Sequence, residues 1–168
     1  MRRPVQPHDL TKLRPATALD RLIVVRLFAA YQRAIAAFDS TIDPEMEFEE
    51  VWLEKPGELF PFLILADETA VGLLLVYGKR YTAAVGDPGD FSVNALYLEE
   101  QQRGSGLAEA AVRELLAAAP GEWCAQVLVR NAPAVRFWDR ALGDPTLGLT
   151  KGPCVDGLVP FCVRSGTV

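Results

Sequence analysis

Apolar residues recur along this chain with two periods, and the switches between them predict an order of elements. Residues 10–14 alternate as a short strand closed by Pro15. Thr17 can cap a helix over residues 18–38, in which Val24, Leu27, Phe28, Tyr31, Ala34, Ile35 and Phe38 fall three or four apart, with Arg26, Gln32 and Arg33 off that stripe. Tyr31 on this stripe reads as core, not as chemistry. Pro44 opens a second helix over residues 45–54, ended by Pro56-Gly57. Residues 61–66 and 71–77 are apolar runs about Asp67-Glu68-Thr69, which predicts an antiparallel hairpin. A further strand spans residues 91–98, a helix 107–119, a strand 123–129 and a helix 132–142 capped by Asn131. Weak alternation predicts strands at 147–150 and 158–163, the second interrupted by Pro160. Hairpins beside a βαβ-like unit give an α+β (mixed α/β) class, in one domain over residues 10–168 after a loose tail at 1–9.

Composition narrows the chemistry. The chain has 168 residues, half of them hydrophobic, and a net charge of −5, which argues against broad nucleic-acid binding. No apolar run approaches the roughly 20 residues of a membrane span, and no signal peptide is evident, so the cytoplasm is the expected location. Three cysteines, Cys124, Cys154 and Cys162, are odd in number and lack metal-site spacing, so neither a disulfide framework nor a zinc site is expected. The one histidine, His8, falls in the tail, which disfavours Ser-His-Asp, Cys-His and histidine-metal chemistry. Residues 43–58 hold seven acids and one base, Lys55, which suits either a solvated face or a wall that attracts a cationic substrate.

The stretch with the most chemical content is Gln101-Gln102-Arg103-Gly104-Ser105-Gly106, between the strand at 91–98 and the helix at 107–119. The first N–H groups of a helix lack intrahelical partners and sit at the positive end of its dipole. Glycines there keep Cβ atoms away from an anion approaching the backbone. Such a turn alone is compatible with a tight turn and nothing more. A dinucleotide fold would need a third glycine and an acid after the next strand, where Val129-Arg130-Asn131 stands instead. A P-loop would need Gly-Lys-Ser/Thr, which is absent.

EEQQRGSGLAEAAV resembles the acetyl-CoA motif (Arg/Gln)-x-x-Gly-x-(Gly/Ala) of the GNAT superfamily of N-acetyltransferases, here Gln101, Gly104 and Gly106. NAPAVRFW is similar to that family's Asn-x-x-Ala-x-x-Phe-(Tyr/Trp) segment, here Asn131, Ala134, Phe137 and Trp138, and LRPATALDRL is similar to its first strand and helix. The resemblance runs from about Leu10 to Leu142 and leaves the final strands undecided. It implies a central mixed, mostly antiparallel sheet flanked by about four helices. It also implies acetyl-CoA as cosubstrate: main-chain N–H groups of Gln102, Arg103, Gly104, Ser105, Gly106 and Leu107 would cradle the pyrophosphate, with Arg103 adding a contact or lying in solvent. The strand edge at Leu96, Tyr97 and Leu98 would pair with pantetheine amides, and a backbone N–H there would polarise the thioester carbonyl. Asn131 would bond the CoA arm as well as cap its helix.

Two features depart from the family. Trp138 stands where many members carry a Tyr that protonates the leaving thiolate. Ser92-Val93-Asn94-Ala95 offers no carboxylate where many carry a Glu, so Asn94 either holds a water that takes the amine proton or is merely a strand residue; Glu99 and Glu100 are expected to face solvent. The implied activity is acetyl transfer to a small-molecule or peptide amine by direct attack in a ternary complex. The alternative is a non-catalytic CoA-binding or regulatory module. The expected partners are acetyl-CoA and an amine acceptor, without nucleic acid, membrane or metal, and a homodimer is compatible with the same reading.

Overall fold

Residues 59–66 and 70–77 form inner strands of the sheet because each run is apolar throughout and can be covered on both faces. The computed structural model describes residues 10–166; the expected tail at 1–9 lies outside them, as do Thr167 and Val168. Strands β2 (Leu59–Ala66) and β3 (Thr69–Tyr77) pair antiparallel about Asp67-Glu68, Asp67 taking the left-handed conformation that aspartate tolerates. Leu73, Leu74, Leu75 and Val76 are all at most 1 % exposed, alternating between two cores.

β1 (Leu13–Pro15) pairs with β2, and β4 (Phe91–Leu98) pairs with β3. A crossover through helix α4 (Leu107–Ala118) brings β5 (Gly121–Leu128) alongside β4, the one parallel pair in the sheet. β7 (Leu158–Ser165) and the two-residue β6 (Thr150–Lys151) complete a seven-stranded sheet of order β1-β2-β3-β4-β5-β7-β6. Helix α1 (Arg21–Ala36) and the single turn α2 (Val51–Glu54) cover one face, where Val24, Leu27, Phe28, Trp52, Leu63, Leu73 and Ala95 form one core. α4 and α5 (Ala132–Ala141) cover the other face over Val93, Leu98, Val112, Leu115, Trp123 and Trp138.

Thr17 and Asp20 cap the 3₁₀ turn at Ala18–Asp20 that leads into α1: the Thr17 hydroxyl accepts Leu19 N–H at 3.3 Å and the Asp20 carboxylate accepts Thr17 N–H at 2.9 Å. The Arg14 guanidinium holds both Asp20 oxygens at 2.9 Å, and this pair keeps the Asp20 carboxyl below the usual carboxylate range. β1 and α1 are thereby locked at one corner of the sheet.

Several expectations fail here for identifiable reasons. The helix expected over 45–54 reduces to α2, because Asp43 diverts the preceding chain into a turn. Its carboxylate accepts Glu45 N–H at 2.9 Å, and its carbonyl accepts the amide of Gln32 at 2.9 Å. Gln32, expected off the apolar stripe, is buried under that turn, and Phe38 lies beyond the helix end. A short helix, α3 (Lys79–Ala84), occupies a stretch too brief for periodicity to register. The strand expected at 147–150 is a 3₁₀ turn, Pro145–Leu147, followed by β6.

Pro160 does not interrupt β7. Its carbonyl accepts Gly152 N–H at 3.0 Å, so its nitrogen also faces away from β5 and no bond to that neighbour is lost. Cys124 on β5 and Cys162 on β7 stand directly opposite, Cα atoms 4.2 Å apart, and form a disulfide, whereas Cys154 is free and exposed. The expectation of no disulfide is corrected by this cross-strand register, which an odd cysteine count cannot reveal. No described helix is long and apolar enough to cross a membrane.

Candidate functional site

β4 and β5 are paired only from Phe91 to Val93 and from Trp123 to Ala125, and beyond Val93 they part. The cause lies partly in β4 itself. Leu75 of β3 faces Ala95 while Val76 faces Val93, so Asn94 is an extra, bulged residue at the point of separation. Glu99 N–H bonds Val71 C=O across β3, which fixes the alternation: Tyr97 turns its backbone groups toward β3, and Leu96 and Leu98 turn theirs toward β5. With β5 drawn away, the Leu96 backbone N–H and C=O face a gap.

The gap is a cleft of about 330 Å³. Leu96, Tyr97 and Leu98 line one wall, and Ala125 to Leu128 line the other. Asn131, Ala134, Phe137 and Trp138 of α5 and its cap close one side, and Tyr31, Ile35 and Phe38 of α1 and the turn after it close the opposite side. Both motifs singled out in the sequence therefore meet in one cavity. Asn131 caps α5, its side-chain oxygen accepting Ala134 N–H at 3.1 Å. Trp138 is buried and packs edge-on against Phe137, ring centres 5.0 Å apart. Asn94 is exposed at the bulge.

At the mouth, the chain leaves β4 through a 3₁₀ turn at Glu100–Gln102, then takes left-handed conformations at Gly104 (φ 77°) and Gly106 (φ 83°) before α4 begins. Among the N–H groups expected to cradle an anion, three have internal acceptors. Gln102 N–H bonds Glu99 C=O, Arg103 N–H bonds Glu100 C=O, and Leu107 N–H bonds the Ser105 hydroxyl at 3.3 Å. The N–H groups of Gly104, Ser105 and Gly106 have no acceptor among the described residues. A Cβ added at Gly104 or Gly106 would meet no protein atom within 4 Å, so neither glycine is required by close packing.

Arg103 is exposed, with its stem held against the end of β4. Its Nε donates to Leu98 C=O at 3.0 Å, and its guanidinium lies 5.6 Å from the Tyr97 ring centre. Glu99, expected in solvent, is paired with Arg26 of α1 at 2.8 Å, which ties α1 to the end of β4. Glu100 is exposed as expected.

Tyr31, expected as core, packs against the core and also lines the cleft. It is half-buried, and its hydroxyl donates to Asn94 C=O at 3.4 Å. Burial, reinforced by nearby Tyr77, pushes its hydroxyl up to about 12. Helical spacing hid this because one side chain can both cover a core and present its polar tip to a cavity. In the acidic segment, Glu50 is held by Arg21 and Glu58 by Arg80, while Glu49 lies close enough to Tyr77 to help raise its hydroxyl. A second cleft of about 390 Å³ sits at the other end of the sheet, lined by Phe60, Phe62, Phe91, Trp123 and other almost wholly apolar side chains. It holds no converging polar groups and is not where the two motifs meet. Among the described residues no cluster of His, Cys, Asp and Glu could hold a metal ion.

Residues 25–144 match the Acetyltransferase (GNAT) family. A comparison with curated proteins finds no match. Among solved structures, an acetyltransferase from Thermus thermophilus shares 19 % identity, with 93 % of this chain and 97 % of that one covered and a TM-score of 0.58. An aminoglycoside acetyltransferase solved with coenzyme A and kanamycin shares 16 % identity over 92 % and 94 % of the two chains, with a TM-score of 0.61. A ribosomal-protein-alanine N-acetyltransferase from Brucella melitensis shares 16 % identity over 91 % and 98 %, with a TM-score of 0.58. At these identities the likeness is one of fold.

Proposed function

The chain belongs to the Acetyltransferase (GNAT) family, and on that premise we propose that it transfers an acetyl group from acetyl-CoA to a small-molecule or peptide amine by direct attack in a ternary complex. The observation that carries this reading is the parting of β4 from β5 beside a glycine turn with three unpartnered N–H groups. A CoA-sized ligand needs an edge for its amides and a cradle for its pyrophosphate, and the cleft offers both in line.

In this reading Gly104, Ser105 and Gly106 donate to the pyrophosphate at the positive end of α4, and the guanidinium of Arg103 adds charge from beside Tyr97. The Leu96 backbone groups pair with the pantetheine arm, and Asn131, Ala134, Phe137 and Trp138 form its far wall. Acetyl-CoA supplies the activated acyl group as a thioester. A backbone N–H of β4 stabilises charge developing on the carbonyl oxygen, a role that needs no particular side chain. The amine nitrogen forms the new C–N bond as the C–S bond breaks with its electron pair on sulfur. One proton leaves nitrogen through a water held by Asn94, and one proton finally restores the thiol.

Trp138 cannot supply that last proton. A thiol of ordinary pKa, about 8.5, leaves well without help, and a general acid typically adds only about 10²–10⁴-fold. The acids of residues 43–54 other than Glu50, which have no ion-pair partner among the described residues, favour a cationic acceptor approaching from the α1 face. The Trp at 138 and the lack of a carboxylate on β4 favour the second reading, a CoA-binding or regulatory module. Thiol release from acetyl-CoA with a panel of amines separates the two: turnover with at least one amine is expected, and binding without turnover on any of them would favour the module.

A further inference from the structure

We propose that the Cys124–Cys162 disulfide is a reversible redox switch on the cleft between β4 and β5, opened by a low-molecular-weight thiol of the glutathione class and closed by that thiol's disulfide. Its effect on cofactor affinity rests on the acetyl-CoA reading above; the switch itself rests on where the bond sits in the sheet.

That place is the fork between β4 and β5. Cys124 stands in register with Ser92, and the next pair, Val93 with Ala125, is the last that joins the two strands. From Gln126 to Leu128, β5 is paired only with β7, through Pro160, Val159 and Leu158. These same β5 residues line the cleft opposite Leu96, Tyr97 and Leu98. Within the sheet, that wall is therefore held by β7 alone. The disulfide ties the two strands covalently at the point where this dependence begins.

The bond can be reached from outside. Trp123, Ala125 and Val127 of β5 and Phe161 and Val163 of β7 face the core under α4 and α5. Strand alternation turns Cys124 and Cys162 to the opposite face, where the core beneath α1 and α2 takes no residue from β5 or β7. An open cleft of about 600 Å³ lies there, lined by both cysteines, Gly89, Thr150 and Arg164. Access differs between the two sulfurs. Cys124 is buried under the Gly89 loop, its Sγ only 3.3 Å from where a Cβ on Gly89 would stand, whereas Cys162 is half-buried.

An incoming thiolate accordingly attacks the Cys162 Sγ. The S–S bond breaks with its electron pair on the Cys124 Sγ, which takes up a proton, and Cys162 is left in a mixed disulfide. A second thiolate attacks the small-molecule sulfur of that mixed disulfide, and Cys162 departs as a thiolate and is protonated. Two external thiols have then become one disulfide, and the protein disulfide has become two thiols. In the reduced state only main-chain hydrogen bonds join β5 to β7, and the loop of sequence separation 38 is no longer closed. A looser wall must be ordered when a ligand binds, so acetyl-CoA affinity falls.

The test equilibrates the wild-type chain in glutathione buffers of graded redox ratio and counts free thiols by alkylation. Cys154 alone should label in the oxidised state, and Cys124 and Cys162 with it in the reduced state. Reduction should lower Tm by roughly 5–15 °C, which a purely structural disulfide would also do. Two further readouts are specific to the switch. Amide exchange should quicken at Gln126 to Leu128 but not at Leu73 to Val76, and acetyl-CoA should bind at least about fivefold more weakly, the low end of coupling between sites. By linkage, saturating acetyl-CoA should make the bond harder to reduce by the same factor. Cys162→Ala should bind acetyl-CoA as the reduced wild type does and ignore the glutathione ratio. Labelling of all three cysteines in the oxidised buffer, a bond reduced only once the chain unfolds, or equal exchange at Gln126 to Leu128 in the two states overturns the switch. So does equal acetyl-CoA affinity in the two states. Failure of both states to bind acetyl-CoA would instead remove the acetyl-CoA reading, and exchange at Gln126 to Leu128 then decides the switch.

Discussion

Gly104→Val is expected to abolish acetyl-CoA binding while leaving the chain folded. Gly104 adopts φ 77°, where an L side chain costs roughly 1–2 kcal/mol. A Cβ there meets no protein atom within 4 Å, so the protein itself has room for the new side chain. In the proposed reading the added side chain competes with the pyrophosphate at the Gly104, Ser105 and Gly106 amides. Losing two charge-assisted hydrogen bonds would cost about 3–6 kcal/mol, an affinity loss on the order of 10²–10⁴-fold. Gly104→Asn separates occlusion from strain, since asparagine accepts the left-handed conformation but still brings a Cβ. Titration calorimetry should show weak or no binding for both variants, with only small shifts in melting temperature. Wild-type affinity in both would mean that the pyrophosphate lies elsewhere.

Gly72→Val is expected to damage the fold and the cofactor strand together. Here the constraint is space. A Cβ at Gly72 would lie 2.5 Å from the Tyr97 carbonyl oxygen and 3.1 Å from the Ile64 Cβ and Cδ1 atoms. Gly72 is paired with Ile64 on β2 and with Leu98 on β4, so relief requires moving a neighbouring strand. Overpacking of this kind costs about 3 kcal/mol, a fall in Tm of roughly 6–12 °C for a domain of this size. The half of β4 that must shift is Leu96 to Leu98, so acetyl-CoA affinity should fall in the same variant. A variant that melts like the wild type would show that β3 and β4 approach less closely than described.

The elements that could be read from the sequence were those whose partners lie nearby in the chain. The β2–β3 hairpin announced itself through two apolar runs and a short turn, and α4 and α5 through their stripes and stops. Strand β4 was read to its observed ends, because polar residues and glycines bound it on both sides. Features that depend on distant partners were not legible. Nothing local says that Cys124 and Cys162 face each other across β5 and β7, since that follows from strand register. Nor can the pattern show that Asn94 is a bulge, which exists only relative to Leu75 and Val76 of β3. The helix expected over 45–54 forms only at its end, Val51–Glu54, because Asp43 hydrogen-bonds the following backbone and Gln32 reaches across from α1. Periodicity carries neither contact.

The same division holds at the site. The glycine turn and the Asn131 to Trp138 segment were legible as motifs, and they line one cleft. Which amides of the turn are unpartnered was not, because Ser105 and the 3₁₀ turn at Glu100–Gln102 consume three of them. Tyr31 reads as core from its place on an apolar stripe, and it does pack against that core; that it also lines the cleft follows only once α1 is laid across the bulge. The physical lesson is that a site made at a strand separation takes its polar groups from backbone, which a side-chain pattern does not report.

The most direct test of a CoA site between β4 and β5 is a titration of acetyl-CoA into the wild-type chain, followed through its backbone amide resonances. Saturable shifts concentrated at Gly104, Ser105, Gly106 and Leu96 are the predicted result. No shift at millimolar acetyl-CoA, or shifts confined to the apolar cleft around Phe60 and Trp123, would contradict it.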